Sequence, residues 1–408
     1  MTSNADVLFL GRLFPPVNED NVRSKARVDM QDAANQLQWN LINGFKKNGI
    51  KNINVVSYLP VDSWPKHYKD AFVKQIDCNL YDVQFRSVAF CNVTYIKQIL
   101  CKKVCNKSVV EWAKNKNGRK KFLFCYTCNN TLMRAVAAAK RADPDVVAVQ
   151  IIADITEFAA NDNAKGIKKQ FIINEIKTNE RLMKHIDGYV LLTKQMKEKL
   201  GINKPYIVME GICPARETKE TEGVYCNTQD VKTILYTGSM NKKYGICELL
   251  NAFLMIDNPN FRLQLCGLGN AEAEIIEACK KDGRIEFLGK ISHGRCIELQ
   301  REATVLVNPR QNNEEFTKYS FPSKNLEYLS TGKPLVAFKL DGIPDEYDEF
   351  INYVSDNTLE AFRDKLVDVC VDEDRSAKIK AENAKRFVLE NKNYIVQSKR
   401  IVDFISHI

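Results

Sequence analysis

The sequence predicts an α/β fold made of two domains, each with a parallel sheet covered by helices on both faces. Short apolar runs of strand length alternate with stretches of helical periodicity along most of the 408 residues. A polar, charged stretch without apolar periodicity interrupts this alternation, and a second strand–helix series starts after it. A chain of this length has room for two or three domains, and its 45% hydrophobic and 27% charged residues are typical of a globular protein.

The first half contains the elements of one sheet. Six apolar runs predict strands, at residues 6–13, 53–58, 122–125, 145–153, 189–192 and 207–209. Apolar residues recur at helical spacing in residues 29–46, and residues 131–141 are rich in alanine, so both segments predict helices. The nearly continuous apolar character of the strands favours parallel strands that are buried on both faces.

The second half contains the elements of another sheet. The linker composition of residues 216–230 puts the domain boundary between positions 210 and 232. Strands are predicted at residues 233–237, 261–266, 284–288, 305–308 and 335–338, and helices at 245–255 and 271–278. The last segment has the pattern of an amphipathic helix that must bury one face. We therefore predict an N-terminal domain of residues 1–212, onto which the terminal helix 393–408 packs back, and a C-terminal domain of residues 213–392.

The stretch from Phe321 to Val336 combines a helix, a stop signal and a strand. Pro322 suits a first helical turn, where its missing N–H group costs nothing. Gly332 suits the position just after the last turn, and Pro334 prevents the helix from continuing. The apolar run that follows is too short for a helix and predicts a buried strand.

The start of this helix is a candidate anion site, because its free N–H groups carry roughly half a positive charge. Lys324 adds a full charge in the first turn, and Glu327 shares a helix face with it three residues later. The pair could clamp a diphosphate and, one turn deeper, accept two hydroxyl hydrogen bonds from a ribose. An exposed lysine–glutamate pair on an ordinary solvated helix is the other interpretation of this spacing.

Further candidates follow the predicted strands, because ligands bind beyond the carboxyl ends of parallel strands. Gly11, Asp154 and Glu157 hold such positions in the first half, and Gly238 and Gly267 hold them in the second. The Asp154 carboxylate could steady a positively charged sugar centre or orient a hydroxyl group, and it could equally cap the segment that follows. A glycine after a strand more often serves only the turn.

The formal net charge of +9 favours phosphate-rich ligands or an anionic membrane surface. Basic residues concentrate in residues 102–121, where Val109 and Trp112 are interleaved with them. This composition fits peripheral contact with an anionic membrane and fits a solvated surface equally well. No recognition motif accompanies the charge, so a nucleic-acid partner is not expected.

The cysteines and histidines give no expectation of a metal site. Cys125 and Cys128 have a C-x-x-C spacing, but no second pair or histidine cluster accompanies them, and the chain has four histidines. No apolar run is long enough to span a membrane, and no secretory signal is visible. The expected location is therefore the cytoplasm, with reduced thiols.

The turns of the second half carry a series of motifs. In chain order they are Tyr236-Thr237-Gly238-Ser239 with Lys243-Tyr244-Gly245, Leu265-Cys266-Gly267-Leu268-Gly269, Phe287-Leu288-Gly289, Val307-Asn308-Pro309-Arg310, and Phe321-Pro322-Ser323-Lys324 through Glu327-Tyr328 to Gly332-Lys333-Pro334. This series resembles glycosyltransferase family 4 (glycosyltransferases group 1), which has the GT-B fold of two Rossmann-like domains facing across a cleft. Together with Val208-Met209-Glu210-Gly211-Ile212, it is similar to enzymes that assemble bacterial surface or capsular polysaccharide.

The resemblance implies a nucleotide-sugar donor on the C-terminal domain, an acceptor on the N-terminal domain, and a metal-independent transfer with retention at the anomeric carbon. It implies no cofactor beyond the donor substrate, and a glycan or lipid-linked acceptor. The expected location is the cytoplasm, and the basic segment 102–121 could bring the protein to the inner face of the membrane. From the strand ends and the resemblance together, the candidate residues are Lys324, Lys243 and Asp154 for catalysis, Gly238, Ser239, Gly267, Arg310, Tyr319, Ser320, Ser323 and Glu327 for the donor, and Gly11 and Glu157 for the acceptor.

The sequence departs from the family pattern at two positions. Ser239 stands where the family usually has an arginine, and Tyr319 stands where it has the first of its two motif glutamates. Lys324 and Arg310 could supply the missing positive charge. The two replacements leave open a non-catalytic nucleotide-sugar-binding protein, or another enzyme on the same scaffold such as a nucleotide-sugar epimerase.

Overall fold

The computed structural model describes residues 5–28, 30, 32–94, 96–155, 166–213 and 231–408. Two compact units make up the chain. Unit 1 consists of residues 1–212 together with 394–408, and unit 2 consists of residues 213–393. Each unit has its own parallel sheet and its own apolar core. The predicted α/β class with two parallel-sheet domains is therefore confirmed.

Unit 1 contains an eight-stranded sheet with the order β10-β9-β8-β7-β1-β2-β5-β4, and a separate antiparallel pair, β3 and β6. The strands are β1 (Ala5–Gly11), β2 (Asn52–Ser57), β3 (Phe72–Val73), β4 (Asp77–Leu80), β5 (Val83–Ser87), β6 (Phe90–Cys91), β7 (Lys120–Tyr126), β8 (Val147–Ile152), β9 (Gly188–Leu191) and β10 (Tyr206–Val208). All pairs in the large sheet are parallel except β4 with β5. The central strand β1 is buried along its whole length, as its apolar sequence predicts.

The helices of unit 1 cover this sheet. They are α1 (Glu19–Arg23), α2 (Asp32–Lys47), α3 (Ile96–Lys114), α4 (Asn130–Ala142), α5 (Ile167–Leu182) and α6 (Met196–Lys199). The side-chain amide of Asn129 caps α4 by accepting from the N–H groups of Thr131 and Leu132.

Unit 2 contains a six-stranded sheet in which every pair is parallel, with the order β13-β12-β11-β14-β15-β16. Its strands are β11 (Lys232–Thr237), β12 (Phe261–Cys266), β13 (Ile285–Gly289), β14 (Val305–Asn308), β15 (Leu335–Ala337) and β16 (Asn352–Tyr353). Its helices are α7 (Ile246–Leu254), α8 (Glu272–Lys281), α9 (His293–Glu302), α10 (Ser323–Thr331), α11 (Leu359–Val371) and α12 (Ser376–Asn391).

The last helix, α13 (Tyr394–Ile405), returns to unit 1 and packs against α2. Ile401, Val402 and Ile405 are buried in the core of that unit. A Cβ on Gly44 would lie 2.0 Å from the hydroxyl oxygen of Ser398, so α2 and α13 need a glycine where they approach each other. The amphipathic pattern of the last residues thus has a partner surface within unit 1.

The basic segment 102–121 spans the end of α3 and the start of β7. Val109 is fully buried, and the indole of Trp112 donates a hydrogen bond to Asp6 at 3.1 Å. The apolar residues interleaved with the charges therefore pack inside unit 1. Lys103, Lys107 and residues 114–120 remain exposed, so what this segment presents to solvent is largely charge.

Candidate functional site

The site is built at the carboxyl edge of the second sheet, where three neighbouring strands end. β11 ends at Thr237, β12 at Cys266 and β14 at Asn308. Gly238 and Gly267 follow the first two strands, and Arg310 follows the third two residues on. The parallel pairing of these strands places the three turns at one edge, which is where ligands bind in sheets of this kind.

The two glycines allow the turns to approach each other. Both have a positive φ, 152° at Gly238 and 145° at Gly267, in the region that favours glycine. A Cβ on Gly267 would lie only 1.7 Å from the carbonyl oxygen of Gly238. A Cβ on Gly238 would lie 3.8 Å from Cε of Lys324, so this turn borders the lysine of α10. A side chain at position 238 would fill the space beside that lysine, and one at position 267 would collide with the backbone of Gly238.

Helix α10 begins next to this edge, and its limits agree with the sequence pattern. Pro322 precedes its first residue, and no side chain caps the helix start. Gly332 ends the helix in the left-handed conformation, with φ 76°. The first-turn N–H groups therefore keep their partial positive charge without a side-chain acceptor, as an anion site requires. The predicted end at Gly332 is confirmed, and the start differs by one residue because Pro322 is the N-cap and not part of the first turn.

Lys324 and Glu327 share one face of α10, as the spacing predicts. The Lys324 ammonium donates to both carboxylate oxygens of Glu327 at 3.0 Å. The side chains are 34% and 18% exposed, so the pair is partly withdrawn from water and remains accessible. The exposed pair of a fully solvated helix, which was the other interpretation, does not describe this arrangement.

Gln300 of α9 holds Glu327 in place through a hydrogen bond. This glutamine is fully buried, and its side-chain amide donates to Glu327 at 2.6 Å and to the hydroxyl of Thr237 at 2.9 Å. A buried amide that donates to a carboxylate holds it more firmly than water would, because the hydrogen bond is charge-assisted and its geometry is fixed. Glu327 is therefore pre-positioned relative to the end of β11.

Tyr328 ties the same helix to the end of β11. Its hydroxyl is fully buried, accepts from the backbone N–H of Thr237 at 2.8 Å and donates to the backbone carbonyl of Thr237 at 2.9 Å. One side chain therefore satisfies both backbone groups of Thr237. The position of α10 relative to the turn at Gly238 thus depends on this tyrosine.

Lys243 and Arg310 surround a pair of aromatic rings beside the same turn. The Arg310 guanidinium lies 4.4 Å from the ring centre of Tyr244 and 5.5 Å from that of Phe316. The Lys243 ammonium lies 5.3 and 5.5 Å from the same two centres. Burial lowers the pKa of Arg310, and its Nε has no hydrogen-bond partner within the described residues. Two cations held on aromatic faces remain available to an anion.

The remaining donor-side candidates, Ser239, Tyr319, Ser320 and Ser323, differ in their exposure to solvent. Ser239 and Ser323 are exposed, and the hydroxyl of Ser239 accepts from Asn241 at 2.5 Å. Ser320 lies 3.4 Å from Nη1 of Arg310. Tyr319 is half-buried in the 3₁₀ segment Glu315–Tyr319, and its hydroxyl lies 3.5 Å from a carboxylate oxygen of Glu315. Of these four residues, Ser320 is therefore the one that contacts Arg310.

The acceptor-side candidates lie in unit 1 at the carboxyl ends of β1 and β8. Gly11 is the buried last residue of β1, and a Cβ on it would lie 2.3 Å from the side-chain oxygen of Gln38. Asp154 follows β8 and keeps accessible surface, although the surrounding protein removes part of its hydration and raises its pKa. Its side chain caps no described helix. Glu157 lies outside the described residues.

Sequence reasoning missed the residues that hold the site together. Tyr244 and Tyr328 lie inside the motifs of the second half, but no role was predicted for either, because their function depends on what the fold places opposite them. Gln300 lies outside those motifs. Gln300 lies in α9, a helix that the apolar pattern did not reveal.

Metal clusters and membrane-spanning helices are both absent from the part of the chain that the structure describes. Within the described ranges, no group of three or more histidine, cysteine, aspartate or glutamate residues is arranged to hold a metal ion. Among the helices of those same ranges, none combines the length and the hydropathy that crossing a bilayer demands.

Comparison with known proteins identifies the fold and the class. Residues 231–372, about a third of the chain, match the family model of the glycosyl transferases group 1. Three solved structures with similar folds are sucrose-phosphate synthase from Thermosynechococcus elongatus (TM-score 0.66, 14% identity, 98% of each chain), the lipopolysaccharide outer core galactosyltransferase WaaB (0.61, 14%, 98% of this chain and 99% of that chain) and Anabaena HepE in complex with UDP (0.63, 13%, 99% and 100%). A search of curated proteins finds no significant match.

The chain therefore has the GT-B fold, in which two Rossmann-like domains each contribute a parallel sheet. Its second unit carries a domain of the glycosyl transferases group 1 family, which assigns the chain to the glycosyltransferase class. The resemblance drawn from the motifs of the second half is confirmed, since the matched residues contain all of those motifs.

Proposed function

We propose that this protein transfers a sugar from a nucleoside-diphosphate sugar to a hydroxyl acceptor, with retention of configuration at the anomeric carbon. The observation that carries the proposal is the arrangement of Lys324 and Glu327 at the uncapped start of α10, with Gln300 behind the glutamate. A cationic helix start and a fixed carboxylate one turn deeper match a diphosphate joined to a ribose.

Donor binding would replace the hydrogen bonds between Lys324 and Glu327. A carboxylate offers about four acceptor positions, and Lys324 and Gln300 occupy three of those of Glu327. When Lys324 turns toward the diphosphate, it frees two of these for ribose hydroxyls. Ser323 and the backbone of Gly238 and Gly267 would line the phosphates, where a close approach is possible because no Cβ is present.

The chemical step would depend on charge stabilisation. The acceptor oxygen attacks the anomeric carbon, the bond between that carbon and the phosphate oxygen breaks, and the acceptor proton passes to the departing phosphate. Negative charge grows on the diphosphate, and one fixed group aimed at such charge typically contributes about 3 kcal/mol. Lys324, Lys243 and Arg310 are the candidates, and in this proposal they neutralise the leaving group without a metal ion.

Asp154 would orient the acceptor from unit 1, beside Gly11 and, in this proposal, Glu157. Its position at the end of β8 and its raised pKa support a role near the reacting hydroxyl, because a partly dehydrated carboxyl group forms stronger hydrogen bonds. In this assignment unit 1 binds the acceptor and unit 2 binds the donor.

We further propose that the protein acts in surface polysaccharide synthesis, in the cytoplasm and at the membrane. A glycan or lipid-linked acceptor in surface polysaccharide synthesis is supported by the likeness to WaaB, whose title names it a lipopolysaccharide outer core galactosyltransferase. A cytoplasmic location is supported by the free state of every cysteine in the described residues. The exposed lysines of segment 102–121 support peripheral contact with the anionic inner face of the membrane.

A second candidate is a nucleotide-sugar-binding protein without turnover. It is favoured by Ser239 and Tyr319, which replace a basic and an acidic residue of the family pattern. The Ser239 side chain is exposed and bonds only to Asn241 among the described contacts, so it adds no charge at the diphosphate.

A donor screen followed by a transfer assay tests the proposal. Thermal shift with UDP, ADP and GDP and their sugar conjugates identifies the donor, and UDP comes first because the HepE structure contains it. Binding followed by donor hydrolysis or transfer, with an α-linked product from an α-linked donor, supports the retaining enzyme. Binding without any turnover supports the second candidate, and no binding to any of these nucleotides rejects both.

A further inference from the structure

A small sheet beside the main sheet of unit 1 presents apolar side chains to solvent. Its strands β3 and β6 are antiparallel, and Phe72 of β3 pairs with Cys91 of β6. Trp64 forms a bridge with Val93, just beyond the end of β6. Partners across strands lie on the same face of a sheet, and so do residues two apart along a strand. Trp64, Phe72, Cys91 and Val93 therefore share one face, which we call the aromatic face.

The opposite face of this small sheet is packed into unit 1, which fixes the orientation of the aromatic face. Val73 and Phe90 are buried there. Asn92 is fully buried, its side-chain nitrogen donates to the carbonyl of Asp62 at 2.8 Å, and its own carbonyl accepts from the N–H of Trp64 at 2.9 Å. The segment that carries Trp64 is thereby attached to β6, so the aromatic face belongs to a fixed part of the fold.

The aromatic face leaves much apolar surface in contact with water. Trp64 is 41% exposed and Phe72 is 57% exposed. A single exposed apolar residue is common on protein surfaces, but a tryptophan and a phenylalanine on one fixed face form a patch of the kind that binds a partner. The exposed fractions show that the described part of the chain leaves this patch open to solvent.

Basic side chains flank the aromatic face. Lys66 and Lys74 each lie two residues after one of its aromatic residues. Arg27 lies close to the first of them, because its N–H donates at 2.9 Å to the carbonyl of His67, the residue after Lys66. All three basic side chains are exposed, and none forms an ion pair with an acid of the described residues.

Acidic side chains near the aromatic face are fewer. Asp70 pairs with Lys25 at 2.8 Å, so its charge is balanced within unit 1, and Asp62 is exposed. The three unpaired cations therefore outnumber the unpaired acid, and the surroundings of the face complement an anionic surface. Aromatic residues with lysines around them are typical of proteins at the interface of an anionic bilayer, where tryptophan is enriched and lysine reaches the headgroups.

We propose that the aromatic face inserts into the headgroup region of an anionic lipid bilayer, with Trp64 and Phe72 as the inserted side chains. The inference rests on the membrane location in the proposed function, and it adds an apolar contact formed by residues outside segment 102–121. Lysines alone would give binding that salt abolishes, because about 1 M salt screens exposed charges beyond about 3 Å. Inserted aromatic side chains retain part of the binding at high salt, because burial of apolar surface does not depend on charge.

Co-sedimentation of the full-length protein with vesicles tests the proposal. The vesicles contain phosphatidylcholine with or without phosphatidylglycerol, at about 0.1 M and about 1 M sodium chloride. The variants are Trp64→Ser and Phe72→Ser. The matched control is Tyr81→Ser, which removes an aromatic side chain that is 73% exposed on the turn between β4 and β5, outside the aromatic face. Circular dichroism and a UDP titration verify that each variant is folded.

We expect Trp64→Ser and Phe72→Ser each to lower the affinity for anionic vesicles by about tenfold, at both salt concentrations. Tyr81→Ser should bind as the wild type does, and phosphatidylcholine alone should bind more weakly. Tryptophan emission should shift to the blue on binding, and Trp64→Phe should lose the shift while it keeps the binding. The other two tryptophans do not report on insertion, because Trp39 is buried and Trp112 donates its hydrogen bond inside unit 1.

The double variant Lys103→Gln with Lys107→Gln separates this proposal from the lysine contact of segment 102–121. If it binds vesicles as the wild type does while Trp64→Ser does not, the lysine contact is wrong and the aromatic face is supported. If the double variant alone loses binding, the proposal is overturned. It is also overturned if no vesicle binds, if both kinds of vesicle bind equally, if wild-type binding vanishes at about 1 M salt, or if light scattering shows a dimer that Trp64→Ser converts to a monomer. The UDP titration of the wild type reports on the donor assignment independently.

Discussion

Replacing Glu327 by alanine should weaken nucleotide binding by about two to four orders of magnitude. The carboxylate is 18% exposed and is held by Lys324 and Gln300, so it cannot swing away to be replaced by water. Two ribose hydroxyls that bind to it would form charged hydrogen bonds of about 1.5–3 kcal/mol each. Their loss totals about 3–6 kcal/mol, which corresponds to a Kd increase of roughly 10²- to 10⁴-fold.

Calorimetry with UDP measures this change, and the control is Glu286→Ala. Glu286 also accepts a hydrogen bond from a glutamine, Gln264 at 2.8 Å, but it does so on the exposed surface of unit 2. The control should bind UDP as the wild type does. If Glu327→Ala is folded by circular dichroism and keeps wild-type affinity for UDP, the ribose assignment is wrong.

The other predictions concern charge, packing and pH. Lys324→Ala should abolish transfer in an assay of product formation, because the leaving diphosphate loses its nearest cation; a near-wild-type rate would reject its catalytic role. Tyr328→Phe should lower the free energy of unfolding by about 1–3 kcal/mol, since the buried N–H of Thr237 loses its acceptor; urea unfolding measures this, and no change would contradict the geometry. Gly267→Ala should weaken UDP binding and destabilise unit 2, because its Cβ would meet the carbonyl of Gly238 at 1.7 Å, whereas Gly283→Ala, with open space around it, should be neutral in both titration and melting. Burial lowers the pKa of Lys97 to about 8 in the folded protein, against about 10.5 in the unfolded chain. The unfolded chain therefore binds more protons between these pH values, and the free energy of unfolding should rise with pH across that window by up to about 3 kcal/mol. The Lys97→Met variant, unfolded in urea at about pH 8 and about pH 10, should lack this rise, and an equal rise in both proteins would refute the argument from burial.

Local sequence patterns were sufficient to predict the main strands and the helix of the site. Strand β12 was predicted with its observed limits because apolar residues alternate with polar ones along it and a glycine turn follows at Gly267. The ends of α10 were predicted from Pro322 and Gly332, since each imposes a backbone conformation that needs no tertiary context.

The missed elements lack such local signals. Strand β4 (Asp77–Leu80) pairs with β5 at the edge of the first sheet, and its alternation of polar and half-buried residues gives no continuous apolar run. Helices α11 and α12 flank unit 2 with many charged residues exposed, so their apolar faces are narrow. Tertiary packing, and not propensity, decides these elements.

Residues that support the site were invisible for a different reason. Gln38, Lys97 and Gln300 are polar side chains whose types predict exposure, yet each is buried. Their burial is tolerated only because the fold places acceptors or donors opposite them, and a sequence does not show what lies opposite a side chain. The candidate residues could be predicted from motifs, while the network that positions them required the structure.

The central claim is that the start of α10 and Glu327 hold the nucleotide of the donor. A crystal structure of the protein with UDP tests this claim most directly. We predict that the diphosphate lies against the N–H groups of Ser323 and Lys324, with the ribose hydroxyls within hydrogen-bond distance of Glu327. A nucleotide bound elsewhere in unit 2, with Lys324 still paired to Glu327, would contradict the account.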